Sequence, residues 1–285
     1  MLQLRSGVIL AVLGGLTAGT AQAADLYEPD VVEAPAPVQT YVEPAPEVGT
    51  SWYIRGDVGY SINDLRGAYF LQGTAGGAPG YNNFTTANLD NSWLVGGGIG
   101  VNISRHLRAD ITLDYMTKAK FKGSTTGTCG GVPCTSSDTS GLSALVVLAN
   151  AYVDVGTWHG ITGYVGGGIG GAHVKWDDLI NVAPTGTVRH TGYSSARFAY
   201  ALTAGASYCL TNNLELDASY RYTRISSGDM FLYKTGGGPG YDRGLSSHAV
   251  RAGLRYSFGG SGNSPRCAPE PEVVSYQPEP MPVYK

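Results

Sequence analysis

Between residues 51 and 258 the chemical character of the side chains alternates with a period of two, which constrains the fold more than anything else in the chain. Trp52, Ile54, Val58, Tyr60 and Ile62 share one parity, and Arg55, Asp57, Ser61 and Asn63 share the other. Leu107, Ala109, Ile111, Leu113, Tyr115 and Phe121 alternate with Arg108, Asp110, Thr112, Asp114, Lys118 and Lys120. Leu214, Leu216, Ala218, Tyr220 and Tyr222 alternate with Glu215, Asp217, Ser219, Arg221 and Thr223. Val250, Ala252, Leu254, Tyr256 and Phe258 alternate with Arg251, Gly253, Arg255 and Ser257. Successive side chains of a strand point to opposite faces, so each run reads as a strand with one apolar and one polar face. Runs at 92–103, 142–155, 161–174 and 197–210 bring the predicted count to eight. The first and last of these alternate through Trp93, Val95, Ile99 and Val101 and through Phe198, Tyr200, Leu202 and Tyr208. The stretch Val165-Gly-Gly-Gly-Ile169-Gly-Gly is blurred by glycine, and its apolar face stays open.

Connection lengths then select a topology. Residues 104–106, 156–160 and 211–213 are short connections, whereas the segments at about 64–91, 122–141, 175–196 and 226–245 are long, in strict alternation. An even number of antiparallel strands with short turns at one rim and long loops at the other predicts an all-β, eight-stranded, up-and-down transmembrane β-barrel. No apolar run reaches the roughly 18 residues of a spanning helix. A soluble lipocalin-like barrel also has eight strands, but its outside must be wetted. Here the polar parity carries Arg and Asp at neighbouring heights, suited to pairing in a narrow lumen. The apolar parity carries Trp52, Tyr60, Trp93, Tyr115, Tyr208, Tyr220, Tyr222 and Tyr256, many near strand ends, as interfacial girdles require. The net charge of −3 gives no support to nucleic-acid binding, which calls for a basic face.

The flanks differ in kind. Residues 1–23 read as a secretory leader: Arg5, an apolar stretch over 8–16, then Ala21-Gln22-Ala23 before a cleavage point between Ala23 and Ala24. Residues 24–50 hold five of the 15 prolines and an excess of acid, and residues 259–285 hold six more. Both segments read as disordered, extended Pro-rich periplasmic tails around a barrel at 51–258. Export makes an oxidising compartment, so Cys129 and Cys134, with no histidine nearby, are expected to form a local disulfide. Cys209 and Cys267 are left to pair or to remain thiols.

The folded unit resembles the small OmpA-like outer-membrane barrels of alphaproteobacteria, the surface-antigen or porin-like proteins of rhizobia and their relatives. The likeness rests on Trp52-Tyr-Ile-Arg-Gly-Asp57-Val-Gly59, Asn150-Ala-Tyr-Val-Asp154, Tyr164-Val-Gly-Gly-Gly-Ile-Gly170, Tyr220-Arg-Tyr222 and the closing Arg255-Tyr-Ser-Phe258. It implies an assembly signal in the last strand, matched by Val250, Ala252, Leu254, Tyr256 and Phe258, and hence contact with the outer-membrane assembly machinery. That strand usually ends such a chain, whereas here residues 259–285 follow it. The resemblance also implies outer-membrane lipid and lipopolysaccharide as surroundings. Some such barrels are joined to peptidoglycan through a mature N-terminus that begins Ala-Asp, which Ala24 and Asp25 match.

An eight-stranded barrel is just wide enough for its own side chains. Arg55, Asp57, Arg108, Asp110, Asp114, Lys118, Lys120, Asp154, Arg197, Glu215, Asp217, Arg221, Arg251 and Arg255 are expected to project inward as a salt-bridged plug, with a narrow polar leak as the alternative. No enzymatic activity, cofactor or metal is expected. The pattern Gly166-x-Gly168-x-x-Gly171 lies in a strand rather than before a helix, so it does not read as a nucleotide site. Ser247-His248 lacks an accompanying acid, and His173, His190 and Met230 raise haem or metal capture only as an alternative. Tyr69, Phe70, Tyr81 and Phe84 in the first long loop, and Phe231, Tyr233 and Tyr241 in the fourth, form either a binding surface or a packed lid over the mouth. The expected function is structural: a barrel that supports the envelope, with tethering through Ala24 a further step. Surface ligand binding or adhesion (haem or host matrix) and a narrow solute pore are the alternatives. Oligomeric state is not legible.

Overall fold

The structure, a computed structural model, describes residues 51–72, 80–129, 131–234, 237–258 and 267. The leader, the front tail with the sites at Ala23, Ala24 and Asp25, and the rear tail apart from Cys267 lie outside the described residues. In chain order the strands are β1 (Ser51–Leu65), β2 (Ala68–Gln72), β3 (Gly80–Asn83), β4 (Thr86–Leu89), β5 (Ser92–Asn102), β6 (Leu107–Cys129), β7 (Val132–Trp158), β8 (Ile161–Trp176), β9 (Leu179–Ala183), β10 (Gly186–His190), β11 (Ser194–Cys209), β12 (Leu214–Ile225), β13 (Gly228–Phe231), β14 (Gly240–Asp242) and β15 (Leu245–Phe258).

Eight of them close a ring. β1, β5, β6, β7, β8, β11, β12 and β15 each pair antiparallel with the next, and β15 pairs back onto β1 from Trp52↔Phe258 to Leu65↔Leu245. Closure satisfies every backbone group without an edge, the condition for strands in hydrocarbon. The alternation survives intact in β1, where every odd residue is buried and every even one exposed. The exposed set carries the apolar parity: Trp52, Ile54, Val58, Tyr60 and Ile62 face out. Trp52 and Tyr60 are eight residues apart, about 26 Å along a strand and about 20 Å along the barrel axis at a tilt near 40°. The apolar band between these two aromatic levels therefore matches a membrane's hydrocarbon thickness in scale.

Short turns and chain ends of the barrel share one rim. His159 (φ 51°) and Gly160 (φ 79°) both take the left-handed conformation that a two-residue hairpin between β7 and β8 demands. β8 also resolves the glycine-blurred run. Thr162, Tyr164, Ala172, Val174 and Trp176 point inward, and Ile161, Val165 and Ile169 point outward. Gly166 and Gly168 share the inward parity, and a Cβ there would overlap the Tyr152 ring and the Asn150 amide, so both lumen side chains need those glycines.

Two expectations require correction. In β6 the pairing with β7 passes from Met116↔Ala144 directly to Ala119↔Leu142. Two residues oppose one there, and this β-bulge reverses the faces beyond it. Lys118 and Lys120 are consequently exposed, not in the lumen, and Phe121 is fully buried, not on the lipid side. The long connections are not irregular loops either. β6 and β7 continue as a paired hairpin arm to Cys129↔Val132, closed by the Cys129–Cys134 disulfide. β7 alone runs for 27 residues where about ten suffice to cross. The β9–β10 hairpin adds to the side of this arm through Ser137↔Val182, Asp138↔Asn181 and Thr139↔Ile180. The first and fourth connections build a second sheet in the order β13-β14-β2-β3. A second disulfide joins Cys209 at the end of β11 to Cys267.

Candidate functional site

The lower and middle lumen is ionic. Arg55, Arg108, Arg221, Arg251 and Arg255 face Asp57, Asp110, Asp114, Asp154, Glu215 and Asp217, and none of these eleven residues is more than 7% exposed. The strand parity that turns apolar residues to lipid leaves these groups no other direction, and burial then forces them to pair. Arg255 bonds Glu215 at 2.8 Å and Asp217 at 2.7 Å. Arg55 lies between Asp57 (3.2 Å), Asp110 (3.4 Å) and Asp217 (3.8 Å). Arg108 pairs with Asp154 at 3.5 Å and stacks between the rings of Tyr152 and Tyr164. Arg251 bridges Asp57 and Asp114. Arg221 reaches Asp114 at 2.8 Å.

That last contact has a geometric consequence. β12 and β6 are separated by β15, β1 and β5, so Arg221 and Asp114 sit on opposite sides of the eight-strand ring. A 2.8 Å bond between opposite walls spans the bore at that height. A Cβ on Gly96 of β5 would overlap both Asp114 and Arg251, so the network also depends on a missing side chain. Just above it a cavity of about 20 Å³ lies among Leu94, Met116, Val146, Ile225 and their neighbours, room for about one water.

Higher up the lumen turns apolar. Met116, Ala119, Phe121, Leu142, Ala144, Val146, Trp176 and Ile225 form one cluster that continues into Leu65, Phe84, Met230, Phe231 and Leu245 above the barrel. Sequence reasoning missed this plug. Its signal was the run Leu142-Ser-Ala-Leu-Val-Val-Leu-Ala, which is apolar on both parities and so has a greasy inward face. A buried ion pair also missed there closes the top: Arg197 holds Asp242 through bonds of 2.7 and 2.8 Å, and Trp176 Nε1 donates to the same carboxylate at 3.1 Å. Asp242 sits in a connection without periodicity, so no pattern in the chain pointed to it.

The loop aromatics divide into two populations. Phe70, Phe84, Phe121 and Phe231 pack edge to face within the mouth, with centroids 5.4 to 6.5 Å apart. Tyr69, Tyr81 and Tyr241 instead group on the outer side of the second sheet, Tyr69 stacking on Tyr241 at 5.2 Å with the Arg243 guanidinium over the Tyr69 ring at 5.6 Å. Tyr81 and Tyr233 are each 67% exposed. The crown therefore has a packed interior and a tyrosine-bearing exterior on a hydrogen-bonded frame.

The remaining candidates fall apart spatially. Ser247 faces inward and touches Ser61, while His248 faces outward to the Tyr220 hydroxyl at 2.6 Å, so the two share no face. His173 points outward from β8, Met230 is in the apolar core, and His190 is buried against Phe231 at 5.0 Å. Burial, helped by Lys234, holds the His190 imidazole below its ordinary value. Among the described residues no group of three His, Cys, Asp or Glu is placed to hold a metal ion. Val250, Ala252, Leu254, Tyr256 and Phe258 all face outward on β15.

Comparison with known proteins adds the following. A family model described as outer membrane protein beta-barrel domain matches residues 8–258. An uncharacterized protein of Brucella suis is 35% identical over 293 residues, covering 90% of this chain and 100% of that protein. A putative adhesin of Rickettsia bellii is 26% identical, covering 72% of this chain and 87% of its own length. The outer membrane protein PagN of Salmonella typhimurium is 25% identical, covering 64% and 77% respectively.

Proposed function

The chain belongs to the outer membrane β-barrel protein family and resides in the outer membrane, and from that premise we propose that it is a non-enzymatic surface protein whose crown binds partners outside the cell, as an adhesin does. The observation that carries this reading is the face on which exposed Tyr81 and Arg243 group with the half-buried Tyr69 and Tyr241. Tyrosine and arginine are enriched at binding hot spots because they give a large, rigid contact area with a polar handle. The long connections are built as paired strands, so this face is held before a partner arrives and costs little ordering on contact. Relatives named as adhesins support the same reading. The test is attachment of cells that display wild-type protein or a Tyr69→Ser/Tyr81→Ser/Tyr241→Ser variant, each checked for heat-modifiable gel mobility. Loss of attachment by a folded variant is the expected result, and unchanged attachment refutes the reading.

The lumen favours a barrel that is closed to solutes, because ions paired across the bore act as a register-fixing plug. Planar-bilayer recordings of the purified protein should show no steps, and a steady small conductance would restore the pore reading. The envelope-supporting role, with covalent attachment of Ala24 ahead of Asp25 to peptidoglycan, rests on the sequence of the acidic tail. Mass spectrometry of digested sacculi tests it: a muropeptide on Ala24 upholds the tether, and a uniformly free Ala24 amine removes it.

A further inference from the structure

A cavity of about 210 Å³ lies within the crown, between the disulfide-closed arm of β6 and β7, the β9–β10 hairpin and the phenylalanines of the first and fourth connections. One side is apolar, formed by Phe70, Phe84 and Phe231, and the other carries Asp138, Asn181 and His190. Asp138 is 1% exposed and His190 is 8% exposed. Asn181 Nδ2 donates to Asp138 Oδ1 at 2.6 Å, but Asp138 Oδ2 and His190 Nδ1 have no hydrogen-bond partner.

Asp138 Oδ2 accepts when the carboxyl is ionised, and His190 Nδ1 accepts in the Nε2–H tautomer. Asp138 Oδ2 belongs to a carboxyl that burial pushes above the usual range, against the hydrogen bond from Asn181. Burial and Lys234 together hold the His190 imidazole below its ordinary value, which favours the neutral ring and leaves one of its nitrogens with a lone pair. No lysine or arginine lines the cavity among the described residues. A buried carboxylate without a countercharge is costly, and a cation that enters relieves that cost. Aromatic faces add attraction for a cation at short range. The carboxylate turns on a broad, soft torsion, so Oδ2 can swing to meet an incoming donor. An anion is excluded by the same charge balance, and a neutral apolar molecule leaves both acceptors unmet.

We infer that this crown cavity binds a primary alkylammonium group, its N–H donors meeting Asp138 and His190 and its short methylene stem lying against Phe70, Phe84 and Phe231. The inference deepens the adhesive reading of the crown and rests on it only for the crown being presented to the outside. A free alkylamine and a lysine side chain of a partner protein share the required chemistry.

The experiment is calorimetric titration of the folded full-length protein in detergent micelles with n-pentylammonium, n-pentanol, pentanoate and Nα-acetyl-lysine amide. Saturable binding of the ammonium but not of the alcohol or the acid is expected. Asp138→Asn should weaken it by about 10- to 100-fold, the span of a charge-assisted hydrogen bond. Its heat-modifiable mobility should be unchanged. Acetyl-lysine amide binding as tightly as pentylammonium assigns the cavity to a protein lysine, and clearly weaker binding assigns it to a soluble amine; either outcome upholds the site. Equal binding of pentanol, or no saturation by any amine on folded wild-type protein, overturns it. Because those arms use wild-type protein, a variant that misfolds does not shield the inference. Amine binding with unaltered cell attachment would uphold the cavity while removing the adhesive reading.

Discussion

Replacing Arg251 with methionine tests the claim that the lumen is held by ion pairs rather than merely filled by them. Arg251 is 2% exposed and bridges Asp57 and Asp114. Without it Asp57 keeps Arg55 at 3.2 Å and Asp114 keeps Arg221 at 2.8 Å, so neither carboxylate is wholly abandoned. The wall lumen, however, falls from five guanidiniums facing six carboxylates to four. Breaking one partner out of a buried pair costs about 3–5 kcal/mol, and the remaining partners place this case at the lower end, about 3 kcal/mol. That is a roughly 160-fold change in the unfolding equilibrium. With a urea dependence of about 2–3 kcal/mol per molar, the midpoint should fall by about 1–1.5 M. Tryptophan fluorescence of protein reconstituted in lipid vesicles, followed through a urea series, measures it. Lys122→Met, which removes an exposed pair with Asp90 at 2.9 Å, is the matched control and should leave the midpoint in place. An Arg251→Met midpoint indistinguishable from the control would refute the reasoning, because the guanidinium would then be filling space only.

Other outcomes follow from the bulge and the crown. In intact cells a membrane-impermeant maleimide should label Lys120→Cys and spare Phe121→Cys, the reverse of what unbroken alternation implies; the paired native cysteines give no background. Gly96→Ala should lower the urea midpoint more than Gly56→Ala, since only the first Cβ would meet the Asp114–Arg251 pair, and equal midpoints would count against the close fit. His190 sets a pH dependence whose sign is fixed: its folded value lies below the ordinary 6.5, so an open crown takes up the proton more readily than a closed one. Its stabilising share is full above about pH 6.5 and is lost as pH falls through the lower folded value. Scaled to its rate on a denatured substrate at the same pH, trypsin should therefore cut the crown faster at pH 5.5 than at 7.5, and His190→Phe should abolish that difference; a variant that keeps the full difference would contradict it.

What the sequence made legible follows the reach of its periodicity. The β1 pattern could be read directly because every side chain there obeys one rule, lipid outside and ions inside, over 15 residues. The same rule placed Arg55, Arg108, Arg251 and Arg255 in the lumen with their carboxylates. It failed at Lys118 and Lys120 because a single extra residue inverts parity, and a bulge leaves no compositional mark in this chain. It also failed above the membrane. There the paired arm of β6 and β7 is rich in Thr, Ser and Gly, which reads as loop, although backbone pairing alone carries it as strand. The Arg197–Asp242 pair joins a strand to a connection far along the chain, a contact that no local pattern encodes.

Depth-dependent quenching by brominated phospholipids tests the central claim most directly, using four proteins that each retain one of Trp52, Trp93, Trp158 and Trp176. Trp52 and Trp93 lie on the outward face at the two aromatic levels, whereas Trp176 is 2% exposed inside the mouth. The account predicts strong quenching of Trp52 and Trp93 and none of Trp176. Quenching of Trp176 together with silent Trp52 and Trp93 would mean that the apolar face is turned inward, and would contradict it.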